Sequence, residues 1–373
     1  MTADQLPTPY YIVYEDRLRR NLELITDVSR RSGAKIIMAF KANALWRTFP
    51  IIREYNRNCT ASSVNELRLG AEELGGEIHS YSPAYTDSNI DEYLRLSSHI
   101  TFNSLSQWER FGSRASAAGI SCGLRVNPKC SVIETDIYNP AKPGSRFGVD
   151  ASELADGLPE GIEGLHFHAL CESGAEDLRK VLAAFEERFG HLLPKVKWVN
   201  MGGGHLMTRK GYDIEELIRI IRDFRGRHPH IEVILEPGSA WTWQTGDLVS
   251  SVVDTVCNDG IDTAILDVSF ACHMPDTLEM PYTPEVAEAA ESGLPYRLGG
   301  NSCLSGDFKE GYFFPHPLKA GDIITLKDMN HYTTVKTTMF NGVPHPDMVL
   351  CRADGSCEYL RRFDYNDYKS RMS

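Results

Sequence analysis

The sequence predicts an α/β chain: a (β/α)8 (TIM) barrel with a second, mainly antiparallel β-domain. Up to about residue 245, apolar and β-branched runs alternate with longer segments of helical period. This alternation is typical of parallel strands joined by crossover helices. Beyond that point the apolar runs become short and β-rich, and Gly, Pro and Asp separate them. Such a pattern indicates an antiparallel sheet.

Eight runs are predicted as the barrel strands. They lie at 34–39, 58–62, 77–81, 98–102, 121–126, 162–167, 196–200 and 231–235. Helix-like stretches lie between them, among them 64–75, 104–119, 175–190 and 213–226. The run at 58–62, NCTAS, is only weakly apolar, so an open doubly wound sheet is the alternative arrangement.

The change in the pattern of apolar residues near residue 245 also predicts the domain boundaries. We expect the barrel to span 25–245 and the β-rich domain to comprise 1–24 plus 246–373. Candidate strands of the second domain are LVSSVVDTV, TAILDVS, GDIITLKD and HYTTVK. The YYIVY run at 10–14 is β-prone, and we expect it to join this domain before the chain enters the barrel.

Composition narrows the class of protein. The net charge of −12 disfavours duplex nucleic acid as a partner. Nine cysteines occur without any CxxC pair, which predicts reduced thiols, a cytoplasmic location and no metal site. The first residues lack the apolar core of a signal peptide, and no run is long enough to cross a membrane.

Chemically active residues and glycines lie near the carboxyl ends of several predicted strands, either within the strand or just after it. In chain order they are Lys41, Arg125, His168, Gly203 with Gly204, and Glu236. Each is ordinary by itself, because lysines are usually solvated and glycine runs are often flexible turns. The carboxyl ends of barrel strands, however, meet at one mouth. We therefore expect these residues to lie together.

This set of residues fits pyridoxal 5'-phosphate. A lysine amine condenses with the cofactor's aldehyde, and a carboxylate beside the ring nitrogen keeps that nitrogen protonated. Backbone N–H groups of a glycine run can approach a phosphate closely. A flat imidazole can stack on the ring, whereas the HFH sequence without further ligands supports a metal poorly.

The motifs around these residues resemble those of the fold-type III pyridoxal-phosphate decarboxylases, the group of ornithine and diaminopimelate decarboxylases. MAFKAN, GLHFHA, MGGG and EPG are similar to the lysine, histidine, phosphate and ring-nitrogen motifs, and SRFGV to a segment between strands five and six. GNSCLSGDF resembles the catalytic cysteine segment, and HYTTVKTTMFNG the tyrosine-bearing segment. HMPDTLEMPY and CLSGDF are similar to the branch that decarboxylates carboxynorspermidine and carboxyspermidine in polyamine biosynthesis.

The resemblance implies roles for residues of this chain. Lys41 and Cys303 would be catalytic, with Lys41 holding the cofactor and Cys303 protonating Cα of the substrate. The candidate cofactor contacts are Lys41, Arg125, His168, Gly203, Gly204, Glu236 and Tyr332. The candidate contacts to a small cationic substrate are His273, Asp276, Glu279 and Asp307. In this family the cysteine segment comes from the neighbouring subunit, which implies a homodimer with shared active sites.

Two positions depart from the family pattern. Ser239 stands where ornithine decarboxylases have an arginine after EPG, and Leu170 and Cys171 stand where glycine and serine usually follow the second histidine. Both departures concern contacts to the phosphate.

Three different functions stay open. A diaminopimelate decarboxylase would need a basic distal site, whereas this chain offers acids. An alanine-racemase-like enzyme shares the fold but would need a tyrosine where CLSGD stands. A cofactor-free regulatory homologue would have no need for Lys41 or Cys303.

Overall fold

The chain forms two units, one α/β and one rich in β-strands. The computed structural model describes residues 2–280 and 282–373. The α/β unit is Asn21–Trp241, and the β-rich unit combines the chain up to Arg20 with Thr242–Ser373. Helix α1 (Glu15–Ser32) contains the first boundary and the short helix α8 (Ser239–Thr242) contains the second. Strand β1 (Tyr10–Tyr14) belongs to the β-rich unit.

All strand pairings in the α/β unit are parallel. The strands are β2 (Lys35–Ile36), β3 (Met38–Ala39), β4 (Cys59–Ala61), β5 (Ile78–Tyr81), β6 (His99–Phe102), β7 (Ser121–Arg125), β8 (Ile162–His166), β9 (Trp198–Asn200) and β10 (Glu232–Leu235). Their order is β2-β10-β9-β8-β7-β6-β5-β4-β3. Strands β2 and β3 are two halves of one predicted strand. Ile37 N between them donates to Leu235 O (2.9 Å) and Met38 N donates to Asn58 O (3.1 Å), so the strand bonds to both neighbours. The predicted barrel is confirmed, and the open doubly wound sheet is excluded.

The helices of this unit connect the strands. They are α2 (Phe49–Ile52), α3 (Val64–Leu69), α4 (Ile90–Leu96), α5 (Leu105–Ala117), α6 (Ala175–Phe189) and α7 (Ile214–Arg227). A π-helical turn, Gly70–Leu74, extends α3 to Gly75, whose φ of +73° ends it. Helix α6 buries Leu178, Val181 and Phe185 on one face, as its helical period predicts. Among the described residues, no helix is both long and apolar enough to span a bilayer.

Trp198 fills the space beside two glycines of neighbouring strands. A Cβ at Gly164 would lie 2.0 Å from the indole, and a Cβ at Gly123 would lie 2.3 Å from it. The indole Nε1–H donates to Ser121 Oγ (2.9 Å), which satisfies its one polar atom. The glycines in β7 and β8 therefore make room for a large side chain in the core.

The β-rich unit contains one mixed sheet. Its strands after β1 are β11 (Gly246–Asn258), β12 (Ile261–Leu266), β13 (Leu294–Gly299), β14 (Phe308–Phe314), β15 (Ile323–Leu326), β16 (Asp347–Cys351) and β17 (Cys357–Arg361). The order is β14-β13-β12-β11-β1-β16-β17, with β15 also paired to β11. The pairings of β1 with β16 and of β12 with β13 are parallel, and the others are antiparallel. The YYIVY run joins this sheet, as predicted. Short helices α9 (Phe270–His273) and α10 (Asp276–Glu279) and the helix α11 (Tyr365–Met372) complete the unit.

The prediction that HYTTVK forms a strand is wrong. These residues form turns, and Tyr332 has a φ of +53°. Val335 N and Lys336 N both donate to Tyr332 O (3.0 and 2.9 Å). Local backbone bonds therefore replace the ladder that the β-prone threonines and valine suggested.

Two cysteines differ from the predicted reduced state. Cys351 and Cys357 lie opposite each other on β16 and β17 and form a disulfide. Among the described residues, the other seven cysteines are not disulfide-bonded.

Candidate active site

Glu236 lies in a buried polar cluster at the carboxyl ends of three neighbouring barrel strands. Strand β8 ends at His166, β9 ends at Asn200, and Glu236 directly follows β10. Glu236 Oε1 lies 3.1 Å from His166 Nε2 and 3.9 Å from His168 Nδ1. Its Oε2 accepts a hydrogen bond from Asn200 Nδ2 (3.1 Å). The residue is 6% exposed, so its charge faces protein donors.

The surroundings of Glu236 favour its ionised form. Burial alone raises the pKa of this carboxyl, but the neighbouring His166 outweighs burial and holds the pKa well below its usual range. A buried carboxylate of this kind can pair with a protonated ring nitrogen.

His168 is held as a neutral imidazole. The Gly203 N–H donates to His168 Nδ1 (3.0 Å), so that nitrogen is an acceptor. Burial and the neighbouring Lys41 lower the pKa of His168 to about 3. The ring keeps a fixed orientation, as stacking on a flat ligand would require. The Gly203 N–H is engaged by His168, and the predicted contact of Gly203 with a phosphate stays a prediction.

The turn after β9 is possible only because its residues are glycines, which have no Cβ. A Cβ at Gly202 would lie 2.5 Å from Phe167 O, and a Cβ at Gly203 would lie 2.5 Å from Glu236 O. A Cβ at Gly204 would lie 2.4 Å from Leu170 C and O. All three glycines therefore let the turn approach the loops after β8 and β10.

Lys41 follows the strand half β3 and is open to solvent at the mouth of the barrel. Desolvation by the surrounding protein lowers the pKa of its amine; Glu236 partly offsets this effect, and Arg125 adds to it. A lowered pKa increases the fraction of neutral amine, which is the form that attacks a carbonyl.

Arg125 ends β7 and is buried between two aromatic rings. Its guanidinium carbon lies 4.6 Å from the centre of the Tyr81 ring and 4.5 Å from that of Phe147. Its Nη2 donates to His168 O (3.3 Å). Arg125 therefore supports the chain that carries His168, and its predicted contact with the cofactor stays a prediction.

Sequence reasoning missed two residues of this cluster. Asn200 gave no signal because a single asparagine before a glycine run is a common turn. Glu66 belongs to an S-x-x-E pattern: Ser63 Oγ accepts from Glu66 N (3.2 Å), and Glu66 Oε2 accepts from Ser62 N (2.6 Å). That pattern predicts a helix cap, but not the electrostatic interaction of Glu66 with the amine of Lys41.

The β-rich unit holds Cys303 in an exposed loop. Cys303 N donates to Asn341 Oδ1 (2.8 Å), and the thiol is free and exposed. Asp307, in contrast, is 4% exposed. Its carboxylate accepts from Ala271 N (2.9 Å), Ser302 N (3.2 Å) and Ser302 Oγ (2.6 Å). Asp307 thus shapes the loop that carries Cys303, and its predicted contact with a substrate amine stays a prediction.

The remaining predicted substrate residues differ in accessibility. Asp276 and Glu279, on α10, share the ammonium of Lys336, which lies 2.7 Å from Glu279 Oε2. His273 is 0% exposed, and its Nδ1 accepts from Ser269 N (3.1 Å). His273 is therefore enclosed by its own unit, and its predicted contact with a substrate stays a prediction. Tyr332 is partly exposed within its turn, and its cofactor contact stays a prediction.

The barrel residues fit a cofactor that has an aldehyde and a basic ring nitrogen. They offer a lysine amine of lowered pKa at the mouth, a fixed imidazole, a buried carboxylate and a turn that only glycines permit. The fold and this site define a barrel enzyme of the pyridoxal-phosphate type.

Comparison with known proteins gives the family. The family model described as "Pyridoxal-dependent decarboxylase, C-terminal sheet domain" matches residues 12–330, and the chain belongs to this family. It is therefore a decarboxylase, and its cofactor is pyridoxal 5'-phosphate.

Several relatives match over nearly the whole chain. Carboxyaminopropylagmatine decarboxylase of Synechocystis sp. is 46% identical over 98% of this chain and 96% of the relative. Carboxynorspermidine/carboxyspermidine decarboxylase of Campylobacter jejuni is 43% identical over 100% of both. The crystal structure of carboxynorspermidine decarboxylase from Campylobacter jejuni, complexed with norspermidine, superimposes with a TM-score of 0.91 over 98% of this chain and 100% of that one.

Proposed function

We propose that the protein decarboxylates carboxynorspermidine and carboxyspermidine, giving norspermidine and spermidine in polyamine biosynthesis. The observation that carries this proposal is the full-length similarity to the Campylobacter jejuni enzyme, 43% identical over 100% of both chains. The superposition on a norspermidine complex, with a TM-score of 0.91, supports the same substrate class.

The site residues divide the chemistry among them. When bound, the cofactor supplies an electron sink for the bonding pair that departing CO2 leaves behind. Lys41 provides the amine that binds the aldehyde, and its lowered pKa favours the reactive form. Glu236 is ionised and would pair with the protonated ring nitrogen, and the ring of His168 would stack beside it.

Cys303 would donate the proton that Cα of the substrate needs after CO2 leaves. Its thiol is exposed in a loop whose shape depends on Asp307. We propose a cytoplasmic homodimer in which this loop completes the site of the neighbouring subunit. Mixing Lys41→Ala subunits with Cys303→Ala subunits tests the dimer, because only a shared site lets the mixture regain rapid formation of the correct amine, which both variants lack. A mixture that exchanges subunits but stays inactive would contradict it.

A second candidate substrate is carboxyaminopropylagmatine. The relative named for that substrate is 46% identical to this chain, slightly more than the carboxynorspermidine/carboxyspermidine enzyme. The two kinds of substrate differ at the distal end, where agmatine carries a planar guanidinium and spermidine an ammonium. A carboxylate can bind either group, but it binds guanidinium through two parallel hydrogen bonds.

A substrate panel tests the proposal. Purified holoenzyme is given carboxynorspermidine, carboxyspermidine, carboxyaminopropylagmatine, ornithine, lysine and diaminopimelate, and CO2 release and amine products are measured. We expect kcat/KM to be highest on the first two. Highest kcat/KM on carboxyaminopropylagmatine would establish the second candidate, and highest kcat/KM on ornithine or diaminopimelate would overturn both.

Diaminopimelate decarboxylation and a regulatory role without catalysis have less support. Relatives named diaminopimelate decarboxylase are 22–24% identical, and the one from Helicobacter pylori superimposes with a TM-score of 0.83 at 17% identity. These likenesses show the fold alone. A purified protein without a cofactor absorption band and without CO2 release would revive the regulatory role.

A further inference from the structure

We propose that Asn200 is a positioning residue that fixes the Glu236 carboxylate and couples it to the glycine turn. This inference rests on the proposed role of Glu236 beside the cofactor ring. Asn200 ends β9, is 3% exposed, and lies in register with His166 on β8 and Ile234 on β10. Its backbone is fixed by strands on both sides, so its side chain projects from a rigid element.

Hydrogen bonding fixes which way the Asn200 amide points. Its Oδ1 accepts from Gly202 N (2.8 Å), and an N–H donor can bond only to the oxygen of an amide. The Nδ2 group is therefore the end that faces Glu236, and it donates to Oε2 at 3.1 Å. Rotating the amide by 180° would place its NH2 group against the Gly202 N–H and its oxygen against a carboxylate.

Glu236 needs this support because the last torsion of a glutamate side chain is soft. His166 Nε2 lies 3.1 Å from Oε1, while Asn200 holds Oε2. The hydrogen bond from Asn200 to Oε2 and the contact of Oε1 with His166 together restrict the plane of the carboxylate. Loss of Asn200 would remove the side-chain hydrogen bond to Oε2 and allow the group to turn.

The same residue ties Glu236 to the glycine turn. Gly202 N donates to Asn200 Oδ1, and Glu236 N donates to Gly202 O (2.9 Å). The next residue, Gly203, donates its N–H to His168 Nδ1. Asn200, Gly202 and Gly203 thus connect the carboxylate to the imidazole that would flank the ring.

Two substitutions separate positioning from simple structural support. Asn200→Asp keeps an oxygen acceptor for Gly202 N but replaces the NH2 donor with a second negative oxygen beside Glu236. Like charges disfavour ionisation of the pair. Asn200→Ser keeps a short acceptor and introduces no charge. The titratable groups that interact with Glu236 are His166, His168, Lys41, Arg125, Tyr81 and His205.

Asn127 supplies the matched control. It is buried, its Oδ1 accepts from Lys129 N two residues on (2.9 Å), and its Nδ2 donates to Phe147 O (3.4 Å). The Asn127 side chain therefore accepts from the N–H two residues on, as Asn200 does. Its Nδ2 group, however, donates to a backbone carbonyl and not to a carboxylate. Asn127→Asp should alter stability without altering the titration of the cofactor.

The experiment measures the affinity of each apoprotein for pyridoxal 5'-phosphate and the absorption spectrum of the loaded protein across pH. For Asn200→Asp we expect affinity to fall about tenfold and the pH midpoint of the spectral change to shift by about one unit, the equivalent of 1.4 kcal/mol. For Asn200→Ser we expect weaker affinity without that shift, and it is the decisive variant if Asn200→Asp does not fold. Wild-type affinity and midpoint in a folded Asn200 variant would overturn the proposal.

Glu236→Gln is measured alongside the Asn200 variants, so that failure of the proposed role of Glu236 can be distinguished from failure of the proposed role of Asn200. If Glu236→Gln leaves the spectrum and its pH midpoint unchanged, Glu236 does not contact the ring, and the proposals for Glu236 and Asn200 both fail. If Glu236→Gln alters the spectrum while the Asn200 variants do not, only the role of Asn200 is overturned.

Discussion

The predicted functional residues of the barrel and those of the β-rich unit have different surroundings. In the barrel, Lys41, His168 and Glu236 interact electrostatically at one set of strand ends, and Asn200 and His166 support the carboxylate. In the β-rich unit, the predicted substrate residues are engaged mainly with their own unit. Asp307 accepts three hydrogen bonds there, and His273 is fully buried.

The difference follows from how each fold brings residues together. Parallel strands of a barrel all end at the same mouth, so a residue's position after a strand already predicts its neighbours. The loops of a mixed sheet follow no comparable rule. A carboxylate in such a loop can serve the loop as readily as a ligand, as Asp307 does.

The largest expected effect is that of Lys41→Ala. Removal of the amine should abolish covalent attachment of the cofactor and reduce decarboxylation to background, measured by absorbance and CO2 release. Lys35→Ala is the matched control. That lysine lies at the opposite ends of the strands, beside Glu77 (2.8 Å) and Glu232 (2.9 Å), and its loss should leave activity unchanged. Normal turnover by Lys41→Ala would show that the barrel mouth is not the active site.

Replacement of Cys303 tests whether the β-rich unit takes part in the chemistry. For Cys303→Ala we expect CO2 release to continue while formation of the correct amine slows by about 10²–10⁴-fold, the usual contribution of a general acid. Cys257→Ala, which removes another exposed thiol of the same unit, is the control. An unchanged product and rate for Cys303→Ala would confine the chemistry to the barrel.

The third prediction concerns His273 and the pH dependence of the free energy of unfolding. Burial and the nearby His345 lower the pKa of His273 to about 3, below the value near 6.5 in an unfolded chain. As pH falls below 6.5 the unfolded chain takes up the proton first, so stability declines until about pH 3, by up to 1.4 kcal/mol per pH unit.

His273→Asn should flatten that decline, because asparagine keeps an acceptor for Ser269 N but does not titrate. Urea unfolding between pH 4 and 7 measures the slope. His316→Asn, at an exposed site, should change nothing. An equal slope in wild type and His273→Asn would mean that His273 is not neutral in the folded protein.

The smallest expected effect concerns Lys336. Lys336→Met removes an ammonium shared by Asp276 and Glu279, and we expect a stability loss of about 0.2–1 kcal/mol, as for other partly exposed ion pairs. If α10 binds the cationic arm, the variant should also lower KM for carboxyspermidine, since the carboxylates gain unneutralised charge. An unchanged KM would assign α10 a structural role only.

Much of the barrel could be predicted from local patterns. The eight apolar runs correspond to the observed strands, and the helix over 175–190 matches α6. The β-prone HYTTVK was predicted wrongly because composition does not reveal whether a partner strand exists. The polar support of Glu236 was also missed, since Asn200 lies 36 residues away in sequence and only the pairing of β9 with β10 brings it close.

The sequence by itself determined the barrel, the β-rich unit and the lysine, histidine and glutamate at the strand ends. Alternating apolar periods specify parallel strands, and the chain order then assigns each active residue to the same mouth. Only the tertiary structure decided that Gly203 bonds to His168, that Asp307 shapes the cysteine loop and that His273 is buried. Those outcomes depend on which donors and acceptors meet across distant segments, because most buried polar groups bond to whichever partner the fold brings to them.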